Sequence, residues 1–324
     1  MRALGSARYR SLHSILTWGS RPSAGAKTKG RTIDRTTVII LPMQASLLVA
    51  AQPDGLKTTP IRKWALDKYR LVSLYSRLFS TAMKRKWPIR AYIDLYAGSG
   101  FSENEETREL YWGSPLLALG VPDPFDRYVL CERDPESLQA LRERVTRFFP
   151  KADVRFVAGD CDERIKEIAA HIPSGNGVLS FCFADPFDLS IKFSSVKRLA
   201  RYRMDFLFVL ALHMDANRNV SHYAGVGNRK IDSFLELPDW RKRWEEAEAK
   251  GIGFPRFLAE LFSSQMEGMG YLPVPFHRMK QVRSDVRNLP LYHLALFSKH
   301  ELAFEFWNEV LKYSTNQTSL DFDS

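Results

Sequence analysis

Apolar and polar positions along this chain fall into blocks whose period changes from one to the next. Residues 1–35 are rich in Arg, Ser and Gly and show no period, so alone they cannot bury enough apolar surface to fold. Residues 36–51 are apolar but are interrupted by Pro42, and they fall short of the ~20 residues a membrane span needs. From 62 to 86, Trp64, Leu71, Leu74, Tyr75, Leu78 and Phe79 recur at helical spacing and predict one long helix. Residues 91–95, 127–132, 154–161, 178–184 and 205–212 predict strands rich in β-branched and aromatic residues. The last two are apolar almost throughout, as expected of parallel strands covered on both faces. Ser114 and Pro115 read as the N-cap and first residue of a short helix, with a long acidic loop, 103–109, before it. That loop is either a functional lid or a tolerated insertion. A helix over 135–149 carries Leu138, Leu141, Val145 and Phe148 on one face and Asp134 as its N-cap. Residues 231–268 read as helical, 271–282 and 291–298 as two strands around a turn, and 301–313 as a last amphipathic helix. Strands alternating with helices predict an α/β domain over 56–324, built on a mostly parallel sheet, behind a leader over 1–55.

Charge sharpens the division. The formal net charge is +10, but residues 91–324 hold 29 basic and 34 acidic residues. The excess lies in front: residues 57–90 have ten Lys and Arg against Asp67 alone, and residues 1–40 have eight against Asp34. Nucleic-acid binding, if this chain performs it, is therefore a property of the front segment rather than of the whole. The leader reads as a disordered segment ahead of a true start at Met43, as a basic arm touching nucleic acid, or as an organelle-targeting segment. On the helix over 62–86, the basic residues are either a solvated face or a substrate-facing surface, with Lys63, Lys68 and Arg70 as candidate substrate contacts. Cys131, Cys161 and Cys182 lack metal-ligand or redox spacing; they read as reduced thiols of a cytoplasmic protein, with no metal site and no iron–sulfur cluster.

The chemistry centres on Asp94-Leu95-Tyr96-Ala97-Gly98-Ser99-Gly100, which follows a buried strand. Small residues there let the chain turn tightly and let a ligand approach the main chain. The spacing is neither the dinucleotide fingerprint nor a phosphate-binding P-loop. It resembles the first motif of class I S-adenosylmethionine-dependent methyltransferases. That resemblance implies that Asp94, Ala97, Gly98, Ser99 and Gly100 hold the amino acid end of the cofactor. It implies further that Glu132, ending the second strand, binds the ribose hydroxyls, and that Asp160 contacts the adenine with Cys161 lining the ring. For Asp160 a plain turn role stays open. Asp185-Pro186-Phe187-Asp188, ending the fourth strand, resembles the Asp/Asn-Pro-Pro-Tyr/Phe motif of methyltransferases that act on exocyclic amino groups of bases. It departs from the motif in lacking the second proline and in placing Asp188 where the aromatic belongs. Asp185, Pro186 and Phe187 are the candidate catalytic residues. The polar run after the fifth strand, from His213 to Asn219, is a candidate substrate edge.

The order of these elements, with Gly113-Ser114-Pro115-Leu116 and Tyr292-His-Leu-Ala-Leu-Phe297, resembles the three-Cys-motif partner protein family over roughly residues 60–300. That resemblance implies a Rossmann-like class I methyltransferase fold: a seven-stranded, mostly parallel sheet with helices on both faces and a terminal antiparallel strand pair. It also implies S-adenosylmethionine as cofactor and a partner protein that carries a three-cysteine, radical-S-adenosylmethionine-like motif. Two functions stay open. One is a methyltransferase acting on nitrogen in RNA or DNA. The other is a non-catalytic partner module that keeps the fold.

Overall fold

The computed structural model describes residues 48–213, 220–225, 227–284 and 288–313. Most of the leader and the run 214–219 of the expected substrate edge lie outside the described residues. In chain order the elements are β1 Ala50–Ala51, β2 Thr59–Ile61, α1 Ala65–Met83, β3 Ile89–Asp94, β4 Phe101–Asn104, β5 Leu110–Trp112, α2 Ser114–Leu119, β6 Arg127–Glu132, α3 Pro135–Phe148 and β7 Val154–Ala158. They continue with α4 Ile165–His171, β8 Val178–Ala184, α5 Phe193–Leu199, β9 Met204–Leu210, α6 Val220–Ala224, α7 Lys230–Leu235, α8 Trp240–Glu248, α9 Phe254–Glu267, β10 Lys280–Arg283, β11 Pro290–Phe297 and α10 Glu301–Leu311.

The main sheet has seven strands in the order β10-β11-β9-β8-β3-β6-β7. The five strands from β9 to β7 run parallel, and β11 is antiparallel to both of its neighbours. The apolar runs explain the centre: every residue of β9, and all of β8 except the half-buried Leu179, is buried, because helices cover both faces. One layer packs Leu71 and Leu74 of α1, Leu116 of α2, Leu141 of α3 and Trp307 of α10 on the sheet. The other packs Ile168 of α4, Val196 of α5, Ile231 of α7, Trp240 and Trp244 of α8 and Phe262 of α9. This is the Rossmann-like class I methyltransferase architecture, with helices on both faces and an antiparallel strand pair at one end. None of the helices is long and apolar enough to cross a membrane among the described residues.

Three local expectations are corrected. The acidic loop at 103–109 is the tip of a hairpin between β4 and β5, and these strands join β1 and β2 in a second sheet ordered β1-β5-β4-β2. The helical stretch 231–268 is three helices, because Glu236 takes a left-handed φ of 49° after α7 and a glycine-bearing turn separates α8 from α9. The leader does not end at 55: β1 pairs with β5, and Asp54 reaches the wholly buried Arg144 of α3 at 2.7 Å.

Candidate functional site

A cavity of about 620 Å³ opens beyond the carboxyl ends of β3, β6, β8 and β9. Its floor is the glycine turn, where Gly98 and Gly100 adopt φ of 63° and 87°, a region that side chains with a Cβ rarely enter. A Cβ on Gly98 would meet Thr59 Oγ1 at 3.0 Å, and one on Gly100 would meet Leu141 Cδ1 at 3.0 Å. The turn is thus held from outside by β2 and α3. Gly98 is required for its backbone angle and for the close approach of Thr59.

Of the eight expected cofactor residues, Ala97, Gly98, Gly100 and Glu132 line the cavity. Glu132, at the end of β6, accepts from the Gly98 N–H at 2.8 Å and from the Asp134 N–H at 2.8 Å, and so ties the second strand to the turn. Asp134 caps α3 as expected, accepting from the Ser137 N–H at 2.7 Å. Asp94 lies behind the cavity wall, fully buried. It accepts from Ser114 Oγ at 2.7 Å, Tyr92 OH at 3.0 Å and the Tyr96 N–H at 3.2 Å. Burial pushes its pKa up to about 7, against the opposing pull of these donors. Ser114 is the first residue of α2 and Gly113 its cap, one residue earlier than expected, and the serine hydroxyl turns to Asp94. Ser99 also faces away from the cavity: its hydroxyl donates to the Phe101 carbonyl at 2.7 Å and its N–H to Thr59 Oγ1 at 3.2 Å. Asp160 and Cys161 stand outside the lining; Asp160 accepts from the Asp162 N–H at 2.9 Å, and burial pushes the Cys161 thiol up to about 12.

Opposite the glycine turn stand Asp185, Pro186 and Phe187, all lining the cavity. Asp185 pairs with Lys68 Nζ from α1, and both side chains are largely buried. Burial pulls the Lys68 ammonium down, but Asp185, with Tyr69 and Asp94, more than offsets this and leaves it above the ordinary lysine value. Lys68 therefore stays protonated beside Asp185. Phe187 is 93% exposed at the mouth, while Asp188 turns away to accept from Lys230 Nζ at 2.6 Å. Phe187, not Asp188, holds the open position in the departed motif.

Of the three expected substrate cations, only Lys68 faces the cavity. Lys63 is exposed ahead of α1, and Arg70 turns to Asp67 at 2.9 Å on the helix flank. A helix turns 100° per residue, so positions 68 and 70 cannot share a face. Several lining residues carried no signal of a site in the sequence. Tyr69 donates to or accepts from Ser102 Oγ at 2.9 Å, and Trp64 lies 5.4 Å from the Tyr292 ring; in the sequence, Trp64 and Tyr69 match the pattern of core positions. Arg62 and Glu105 close a 3.2 Å ion pair beside the mouth, so the hairpin tip contributes to the cavity wall. At the far end of β9, His213 has a buried Nε2 without a partner, and burial and nearby Arg283 lower its pKa.

No protein-family model matches the chain, and no curated protein matches its sequence. Solved structures similar to it include a protein from Legionella pneumophila str. Philadelphia 1 (13% identity, 77% of this chain and 92% of that one, TM-score 0.45). A methyltransferase from Geobacter sulfurreducens is similar at 17% identity over 47% of this chain and 67% of that one, with a TM-score of 0.29. The cofactor-bound protein Rv0187 from MTB is similar at 11% identity over 70% and 79%, with a TM-score of 0.37. Strand order rather than these likenesses defines the class: the chain has a methyltransferase fold.

Proposed function

We propose that the protein is an S-adenosylmethionine-dependent methyltransferase that acts on an exocyclic amino nitrogen of a nucleic-acid base. The observation that carries this reading is the Asp185-Pro186-Phe187 turn lining the same cavity as the glycine turn, with the Asp185 carboxylate paired to buried Lys68. The residues fit the cofactor: strained glycines expose backbone on the floor, and Glu132 puts a carboxylate at the end of the second strand. When bound, the cofactor supplies an electrophilic methyl group on a sulfonium.

An exocyclic amino nitrogen is a weak nucleophile because its lone pair is delocalised into the ring. Asp185 accepts a hydrogen bond from that NH₂, raising electron density on nitrogen and fixing its direction. Lys68 holds the carboxylate in place, and Pro186 stiffens the turn so that a main-chain carbonyl can take the second N–H. The exposed Phe187 ring is available to stack on the base, which must be single-stranded or flipped to reach the cavity. On taking up a methyl group the nitrogen would lose a proton, and the open mouth would let it pass to solvent.

On its sequence resemblance, the protein would work beside a three-Cys-motif partner. The non-catalytic module is the second reading, favoured by the missing second proline and by the Lys68 contact that already occupies Asp185. Tritium transfer from labelled cofactor to total RNA and DNA of a strain lacking the protein separates the two. Label is expected with wild type and absent with Asp185→Ala, which should still bind cofactor within a few-fold. No label in any macromolecule, with the partner present, would leave only the module.

A further inference from the structure

At the opposite edge of the sheet, where β8 and β9 begin, lies a second cavity of about 400 Å³. It is formed by the 173–176 loop and by the segment that joins α5 to β9. Ser180 to Asp185 spans five residues of extended chain, so this cavity lies about 17 Å from the candidate methyl-transfer site.

Three arginines, Arg198, Arg201 and Arg203, line it, and its lining includes no carboxylate. Arg198 and Arg201 form no ion pair or hydrogen bond among the described residues. Arg203 is steadied by donating to the Asn176 carbonyl at 3.0 Å and by lying over the Trp87 ring, 5.4 Å from its centroid, which leaves most of its N–H groups free. The segment is fixed rather than loose, because Tyr202 OH donates to the Ala169 carbonyl at 2.7 Å. A second, independent feature sits in the same wall. Ser180 lines the cavity, is fully buried, and its Oγ has no hydrogen-bond partner. A buried hydroxyl left unpartnered is costly, and nearly all such groups in folded proteins find a partner.

We propose that this cavity binds a phosphate group. Guanidinium groups repel one another unless an anion offsets their charge, and their planar forks match phosphate oxygens. A phosphate oxygen would also accept from Ser180 Oγ. The concentration of positive charge is notable because residues 91–324 carry more acids than bases. The group can belong to a small phosphorylated molecule or to a nucleic-acid backbone.

The test is calorimetric titration of the full chain with inorganic pyrophosphate and, separately, with a single-stranded oligonucleotide. Both are repeated on an Arg198→Ser/Arg201→Ser double variant and on Ser180→Ala. The two arginines lie at the surface, so an unchanged thermal midpoint and unchanged cofactor binding will show that the double variant is folded. Saturable pyrophosphate binding, weakened at least tenfold in the double variant and several-fold in Ser180→Ala, supports a small phosphorylated ligand. Binding of the oligonucleotide alone, with the same losses, supports a backbone phosphate. Absence of saturable binding by either probe, or equal affinity in wild type and double variant, overturns the proposal.

Discussion

Asp94 shows how much one residue's surroundings can change its meaning. It is fully buried, and burial raises its pKa to about 7. In the unfolded chain a carboxyl titrates near 4, so between about pH 4 and pH 7 the folded state binds the extra proton. Stability from this group is therefore greatest at low pH and is lost as pH rises through 7. Between pH 5 and pH 8 the loss is about 2–3 kcal/mol. Urea unfolding of wild type and Asp94→Asn at both pH values isolates it: the gap between the two proteins should change by that amount with pH. A gap independent of pH would mean that Asp94 is ionised in the folded state. Gly98 gives a second outcome. Gly98→Ala should lower stability by about 1–3 kcal/mol, because φ of 63° is strained for alanine and Thr59 Oγ1 is 3.0 Å away. Calorimetry with S-adenosylmethionine should show affinity falling with it, and Glu132→Ala should weaken binding by about 1–3 kcal/mol. The glycine turn and Asp185-Pro186 were legible in the sequence because positive φ and a proline leave residue-type marks. Which way Asp94, Ser99 and Asp160 point was not legible, since that depends on which donors the fold brings within reach.

At the scale of elements, the main sheet was legible because long apolar runs bounded by turns leave few alternatives. The second sheet was not. Its strands are two to four residues long, and β2 pairs with β4 across the whole of α1 and β3, so no local period marks it. This sheet carries Thr59 onto the glycine turn and brings Asp54 to Arg144, which also donates to the Ser99 and Lys57 carbonyls. Residues 50–54 therefore brace the glycine turn, although the sequence placed them in the leader. Asp54→Ala would strip a buried guanidinium of its only carboxylate partner among the described residues and should cost about 3 kcal/mol, read as a fall in the urea midpoint. The charge of Arg144, through its hydrogen bond, also lowers the Asp54 pKa, so this contribution fades in acid. If deleting residues 1–55 leaves the thermal midpoint unchanged, the brace is not structural.

For the whole molecule, the question is what enters the cavity. The cavity lies between a glycine turn and an acid held by a buried lysine, with an exposed ring at its rim, and the basic helix α1 supplies that lysine. These are the features that the proposed entry of a base with an exocyclic amine would use. The most direct measurement is mass spectrometry of nucleosides from RNA and DNA of a strain lacking the protein, after incubation with purified protein, the proposed three-Cys-motif partner and S-adenosylmethionine. The account predicts one new nucleoside methylated on an exocyclic nitrogen, present with wild type and absent with Asp185→Ala. A methyl group found on carbon, on ribose oxygen or only in protein, or formed equally well by Asp185→Ala, would contradict it.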